Sequence, residues 1–339
     1  MPFIEELVKY RSCSIVGLAK NTGKTVSLNY VLGRLPLDRI RIALSSIGID
    51  GETTDQVTKT AKPEITLQEG TYFGTSEKHY LQRRLVSELV EVSDENTSLG
   101  RIVTAKALTK GKILLSGPSS NLGLRRWKTS MEKYNIDLII IDGALSRMSL
   151  ASPATSESMI LATGAAYSAN ITNLVQKTAF VVDMVNLDLT SEENRLRFND
   201  IHTGVWAVDD NDELHDLKVT SSLSTKICTD GIEHCKTLFM SGALTDGFME
   251  HIRTKKIFKE TEIVVTDFTK IFLTPILYKA FVRGGGKISV MQKSKLIAVT
   301  VNPTAPNGMV LDSDRLCKTM SEAINLPVYD LKKCDRNNS

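Results

Sequence analysis

The sequence predicts an α/β protein with a mostly parallel sheet, on three observations. A short apolar run, Cys13–Leu18, meets a turn bracketed by Gly17 and Gly23 and passes into the helix-prone V-S-L-N-Y-V-L. Strand-like and helix-like stretches then alternate along the chain. The clearest strand, D-L-I-I-I-D at Asp137–Asp142, has four consecutive apolar residues and ends on an acid. That is the pattern of a central strand buried on both faces.

The elements follow in order. Lys24–Leu32 reads as the first helix, with Gly33 as its stop. Ile40–Ser46 reads as a second strand, ending in the Gly- and Asp-rich I-G-I-D-G-E-T-T-D. Short β-like pieces follow at Glu64–Leu67, Thr71–Phe73, Ile102–Ala107 and Lys112–Leu115, interrupted by a helix-prone stretch, His79–Val92. Residues 54 to about 118 therefore read as a β-rich insertion or a β-meander within the first domain. Asn121–Tyr134 has helical spacing, with Leu122, Leu124, Trp127 and Met131 as its apolar face. Ser168–Gln176 is expected to be helical, Ala179–Met184 a buried strand, and Thr203–Val219 a hairpin around D-D-N-D. Helices near Ser224–Cys235 and Ala243–Thr254, a strand at Thr237–Met240 and further alternation through Ser313–Ile324 complete the pattern. Two domains are expected: a nucleotide-binding domain over residues 1–190 and a second α/β domain over 191–339. No low-complexity linker marks the boundary.

Composition narrows the function classes. The apolar fraction of 42% over 339 residues suffices for full cores. Lys and Arg exceed Asp and Glu by only three, so no global field favours nucleic acid. The five cysteines form no C-x-x-C pair, which argues against a zinc site or a disulfide framework. No apolar run approaches the ~20 residues of a membrane span. The amphipathic N-terminus lacks a basic start followed by a long apolar core, so a cytoplasmic location is expected.

The chemistry concentrates in S-I-V-G-L-A-K-N-T-G-K-T, Ser14 to Thr25. Glycines let the backbone curl so that consecutive N–H groups face an anion, and the helix that follows adds its positive dipole end. Lys24 is placed to reach the β- and γ-phosphates of ATP, and the Thr25 hydroxyl to ligate Mg²⁺. Gly17, Lys20, Asn21, Thr22, Gly23, Lys24 and Thr25 are the expected nucleotide-binding residues. The commonest P-loop spacing puts four residues between the first Gly and G-K-[ST]; here Leu18 to Thr22 make five. Asp142, at the end of a downstream apolar strand, is placed to hold Mg²⁺ or polarise an attacking group, or else to cap a turn. Asp50 and Glu52 follow the second strand; Asp50 is the expected third catalytic and metal-binding residue beside Lys24 and Asp142. Both acids also suit a turn. Asn302-Pro303 follows an apolar run and either meets an adenine edge or belongs to a Pro-rich loop. Arg147, past D-G-A-L-S, suits phosphate, a partner or plain exposure. The five histidines have no metal or triad spacing.

The longer loop resembles that of dethiobiotin synthetase and the cobyrinic and cobyric acid amidotransferase-ligases. These belong to the branch of P-loop proteins that includes MinD and the nitrogenase iron protein. Together, L-S-S-I-G-I-D-G-E, G-L-A-K-N-T-G-K-T, I-I-I-D-G-A-L-S-R and P-A-T-S-E-S-M-I-L-A-T-G-A-A resemble the small subunit of the lysine 5,6-aminomutase reactivating factor. The resemblance runs from about residue 12 to 330 and is strongest through 185. It implies a P-loop NTPase domain and an ATP-binding subunit, active with a larger MutS-like reactivase partner. That assembly would exchange damaged cobalamin on the adenosylcobalamin-dependent aminomutase. Residues themselves supply only the nucleotide site. The alternative is a dethiobiotin-synthetase-like ligase acting on a small carboxylate, which needs fixed cationic groups near the γ-phosphate.

Overall fold

The computed structural model describes residues 2–47, 64–144, 152, 155–219 and 233–336. Backbone contacts divide the chain into two units, Met1–Ala179 with Ser294–Ser339, and Phe180–Lys293. The chain opens with α1 (Pro2–Leu7), β1 (Ser12–Gly17), α2 (Lys24–Leu32), β2 (Ile42–Ser46), β3 (Ile65–Leu67), β4 (Tyr72–Ser76) and α3 (Glu77–Leu81). It continues through β5 (Ser87–Thr97), β6 (Gly100–Ala107), β7 (Gly111–Ile113), α4 (Asn121–Met131), β8 (Leu138–Ala144), β9 (Ser158–Gly164) and α5 (Ile171–Val185). The second unit adds α6 (Glu192–Phe198), β10 (Val205–Asp209), β11 (Leu214–Asp216), β12 (Cys235–Met240), β13 (Leu244–Thr245), α7 (Asp246–Arg253), β14 (Glu262–Val265), β15 (Ile271–Phe272), α8 (Pro275–Arg283) and β16 (Lys287–Val290). The chain closes with β17 (Lys295–Asn302), α9 (Ser313–Ile324), β18 (Val328–Tyr329) and α10 (Leu331–Arg336).

The first unit is an α/β structure on a mixed nine-stranded sheet, ordered β18-β17-β9-β1-β8-β2-β4-β6-β5. Every pair from β18 to β4 is parallel; β6 and β5 close one edge antiparallel. All six residues of β1 are buried, as are all of β2 and β9, as expected of parallel strands covered on both faces. Successive residues of β8 point to opposite faces. Leu138 and Ile140 join the cluster of Phe3, Leu7, Leu28 and Leu32 from α1 and α2. Ile139 and Ile141 join Leu124, Trp127 and Met131 from α4. Each such side chain contributes roughly 1.5–3 kcal/mol by burial. Leu122, expected on the buried face of α4, is instead exposed. Trp127 seats its indole over Gly74, where a Cβ would stand 2.6 Å from Nε1, and donates from Nε1 to Thr104 Oγ1 at 3.0 Å.

The second unit carries a five-stranded sheet ordered β11-β10-β12-β14-β16, parallel from β12 to β16 and antiparallel at β10 and β11. The hairpin expected over 203–219 is present as β10 and β11. Among the described residues no helix is long and apolar enough to cross a membrane.

Four expectations are corrected. The second α/β unit is an insertion, not a C-terminal domain: β17 pairs with β9 in the first sheet, so 294–339 return to the first unit. An apolar strand such as L-I-A-V-T-V carries no mark of which sheet it will join. The segment 54–118, expected as an insertion or β-meander, divides in its described part: β4, β6 and β5 extend the main sheet in an order that is not a meander, and β3 and β7 pair as a separate two-stranded sheet. His79–Val92 is not one helix. α3 stops at Leu81, and the residues from Ser87 form β5, whose Val and Leu side chains suit a strand paired with β6. Ala179–Met184 lies inside α5 rather than in a strand. Leu174, Val175, Thr178, Val182 and Val185 are buried at helical spacings of three and four, a period that the short run F-V-V hides.

Burial makes a direct test of this packing. Cys13 and Cys235 are buried, and loss of hydration pushes each thiol up to about 12. Cys317 and Cys334 are half-buried. Iodoacetamide at neutral pH is expected to label Cys334 and, more slowly because burial also pushes its thiol up, Cys317 in the native protein, and to label Cys13 and Cys235 only on unfolding, since the thiolate is the nucleophile. Mass spectrometry of peptides checks this; native labelling of Cys13 would contradict the buried position of β1.

Candidate functional site

The loop between β1 and α2 is built by its own residues. Gly17 has no room for a side chain: a Cβ would lie 2.8 Å from Thr22 Oγ1. Thr22 is buried, and its hydroxyl donates to Ala19 O at 2.9 Å, folding the loop on itself. Leu18 N donates to Ala162 O at 2.9 Å and ties the loop's start to β9. Two residues then take left-handed backbone, Asn21 at φ 63° and Gly23 at φ 94°. Asn tolerates this region and Gly adopts it freely. Gly23 is the N-cap of α2 and offers no side-chain cap, and the helix's first turn holds no acid. Its opening N–H groups are thus left for an anion.

Lys24 is the first residue of α2, and its Nζ stands 2.8 Å from Asp142 Oδ1. β8 explains the meeting. Asp142 pairs in register with Ile15 of β1 and Ser46 of β2. It shares its alternation with Leu138 and Ile140, which face α2. The side chains are 27% and 16% exposed, so the pair is only partly screened by water. Oδ1 is buried and accepts no aligned hydrogen bond, so the contact is an ion pair and not a hydrogen bond.

The expected nucleotide-binding residues thus lie in one loop, with Lys20 exposed at its tip and Thr25 half-buried in the first turn of α2. Asp142 adjoins them. Asp50, Glu52 and Arg147 lie outside the described residues. Asn302 joins the site in a way the sequence did not indicate. Its Nδ2 donates to Asn21 O at 2.9 Å, and its Oδ1 accepts from Thr304 N at 3.3 Å. One N–H and one lone pair of the amide are therefore used within the protein, tying Asn302 to the loop. The available signal was an apolar run closing on a polar residue, A-V-T-V-N, the same form as D-L-I-I-I-D.

A separate cavity of about 380 Å³ in the first unit is lined by Glu91, Asp94, Glu95, Arg126 and Trp127, among others. In the second unit the β10–β11 hairpin brings Asp209, Glu213 and His215 together, with ligand atoms within 4.8 Å of one another. The grouping has a structural explanation. Asp209 Oδ1 accepts from Asn211 N and Glu213 N, closing the turn, and Oδ2 lies 3.0 Å from His215 Nε2. The His215 contact, then the two backbone donors, hold the Asp209 carboxyl below its usual range.

Comparison with protein-family models, with curated proteins and with solved structures finds no match to this chain.

The Lys24–Asp142 contact yields a stability prediction. Lys24→Met leaves a partly buried carboxylate without its cation and is expected to cost about 1–2 kcal/mol. Asp142→Asn in the same background should recover most of that loss, because no charge is then stranded. Urea unfolding of the four proteins of the cycle checks this; additive losses would show that the two side chains do not interact.

Proposed function

We propose that this chain is a P-loop nucleotide-binding protein that takes ATP with Mg²⁺ at Gly17–Thr25. The observation that carries the reading is Lys24 at the uncapped start of α2, 2.8 Å from the acid that ends the adjacent buried strand. An ammonium, a helix start whose N-cap supplies no side-chain cap and a carboxylate at one sheet edge suit a polyphosphate bound with a divalent cation. More particularly, we propose that the chain is the ATP-binding subunit of a lysine 5,6-aminomutase reactivating factor. That step rests on the resemblance of its four sequence segments.

The residues present fit Mg²⁺. Asp142 Oδ1 is a buried carboxylate oxygen without a hydrogen bond, and hard oxygen donors are what Mg²⁺ takes. Asp142 and Thr25 would hold the ion, with Asp50 the second acid named for the role; bound there, Mg²⁺ would neutralise charge on the phosphates. Lys24 binds and orients the β- and γ-phosphates. The loop amides stabilise negative charge without reorganising. The ligase alternative needs fixed cations for a small carboxylate.

In the reactivation reading, ATP shifts the factor between a form that grips the mutase and one that releases it. A ligand can do this only through different affinities for the two forms. In this reading the Gly- and Asp-rich loop at residues 48–55, which lies outside the described residues, would sense the γ-phosphate.

Two measurements bear on this function. Lys24→Ala should weaken Mg·ATP binding by ~10-fold or more by calorimetry, since charge-assisted contacts are about twice as strong as neutral ones. Asp142→Asn should retain much of that affinity and slow ATP cleavage strongly. Unchanged binding in Lys24→Ala would remove the nucleotide assignment. Separately, lysine 5,6-aminomutase inactivated by turnover should recover when this chain, the larger partner, ATP, Mg²⁺ and adenosylcobalamin are all present. Equal recovery without this chain would end the reactivation reading and leave the nucleotide site standing.

A further inference from the structure

We infer that Asn302 is a positioning residue that holds the phosphate-binding loop in its anion-binding shape. The inference rests on the nucleotide reading of that loop. Asn302 is the last residue of β17, more than 270 residues from the loop in sequence, and its place is set by the main sheet. It pairs in register with Gly164 of β9, and its carbonyl accepts from Ala165 N at 2.9 Å. Gly164 must lack a side chain here, because a Cβ would lie 2.2 Å from that carbonyl. The backbone of Asn302 is thus rigidly seated.

From that seat the side chain reaches the loop at its most strained point. Asn21 is the one non-glycine residue of the loop with left-handed backbone. Such a conformation is less favoured for any residue with a Cβ and persists where the surroundings determine it. In an anion-binding loop the N–H groups turn inward and the carbonyls turn outward, so each outward carbonyl needs a donor. Asn302 Nδ2 supplies one to Asn21 O. The Asn302 Cβ also stands 3.1 Å from the position of a Cβ on Gly23, so it closes the loop's outer side against the second left-handed residue. Thr304 N binds Oδ1 and fixes which end of the amide faces Asn21. Asn302 touches neither phosphate nor base in this role; it acts through Asn21 and Gly23.

The experiment measures binding of Mg·ATP, and of inorganic tripolyphosphate with Mg²⁺, to the full chain. Asn302→Ala keeps the main-chain bond to Ala165 and removes only the clamp. Both ligands should weaken by the same factor, roughly 5- to 10-fold, the worth of one hydrogen bond. Asn21→Gly in the Asn302→Ala background should recover most of the loss, because glycine takes left-handed backbone without help. A loss confined to ATP, with tripolyphosphate unchanged, would overturn the inference and make Asn302 a base contact. Unchanged affinity for both would also overturn it. The nucleotide reading itself fails in a different pattern, if the unaltered chain binds neither ligand or if Lys24→Ala binds as well as it does. Should Asn302→Ala melt early, Asn302→Asp keeps the volume and the bond from Thr304 while withdrawing the donor. Hydrogen exchange of the Leu18–Thr25 amides without ligand should then be faster than in the unaltered chain, and equal exchange would refute the clamp.

Discussion

The first unit is organised by the burial of β1 between two parallel neighbours. Its ladder is filled on one side by β8 and on the other by β9, and every side chain it carries is out of water. Polar backbone in such a strand is satisfied only while the ladders last. The chain must therefore turn out where they end, at Gly17. The same edge receives the ends of the neighbouring parallel strands, bringing Asp142 of β8, Gly164 of β9 and Asn302 of β17 beside the turn. Open α/β sheets place ligands at this carboxyl edge for that reason. The alternation of β8 then determines that Asp142 faces α2 and not α4, which is what lets it meet Lys24.

The charges at this edge are balanced and only partly wet. Lys24 and Asp142 answer each other at 2.8 Å. On the proposed reading a polyphosphate competes with Asp142 for the ammonium, and a divalent cation gives the released carboxylate a new counter-charge. Anion and cation would then bind better together than separately, because either one alone leaves a partly buried charge stranded. The ion pair and the Asn302 clamp act on different parts of the loop, the first on the helix start and the second on its left-handed residues.

Features that are local in sequence were legible in it. The G-x₅-G-K-T loop and the first helix, Lys24–Leu32, are contiguous, so composition and spacing reveal them together. Asp142 was legible because D-L-I-I-I-D can hardly be anything but a buried strand with its acid at the edge. Asn302 was legible as a strand end and a candidate base contact, not as a partner of the loop. Its contact with Asn21 joins residues 281 apart, and nothing in either segment names the other. Separation in sequence likewise hid the return of β17 to the first sheet. Where short apolar runs were misread, at residues 79–92 and 179–184, the tertiary partner decided the outcome: β6 draws Ser87–Thr97 into a strand, and the buried face of α5 keeps F-V-V helical.

The central claim is that the carboxyl edge beside β1 is where a nucleoside triphosphate binds, through the backbone of the loop. Amide NMR on the full chain, titrated with Mg²⁺ and a non-hydrolysable ATP analogue, measures this directly. The account predicts the largest shifts at the amides of Lys20 to Thr25, smaller ones at Asp142 and Asn302, and little change around Trp127 and Arg126. Shifts centred on the Trp127 cavity, with the Lys20–Thr25 amides unmoved, would contradict it.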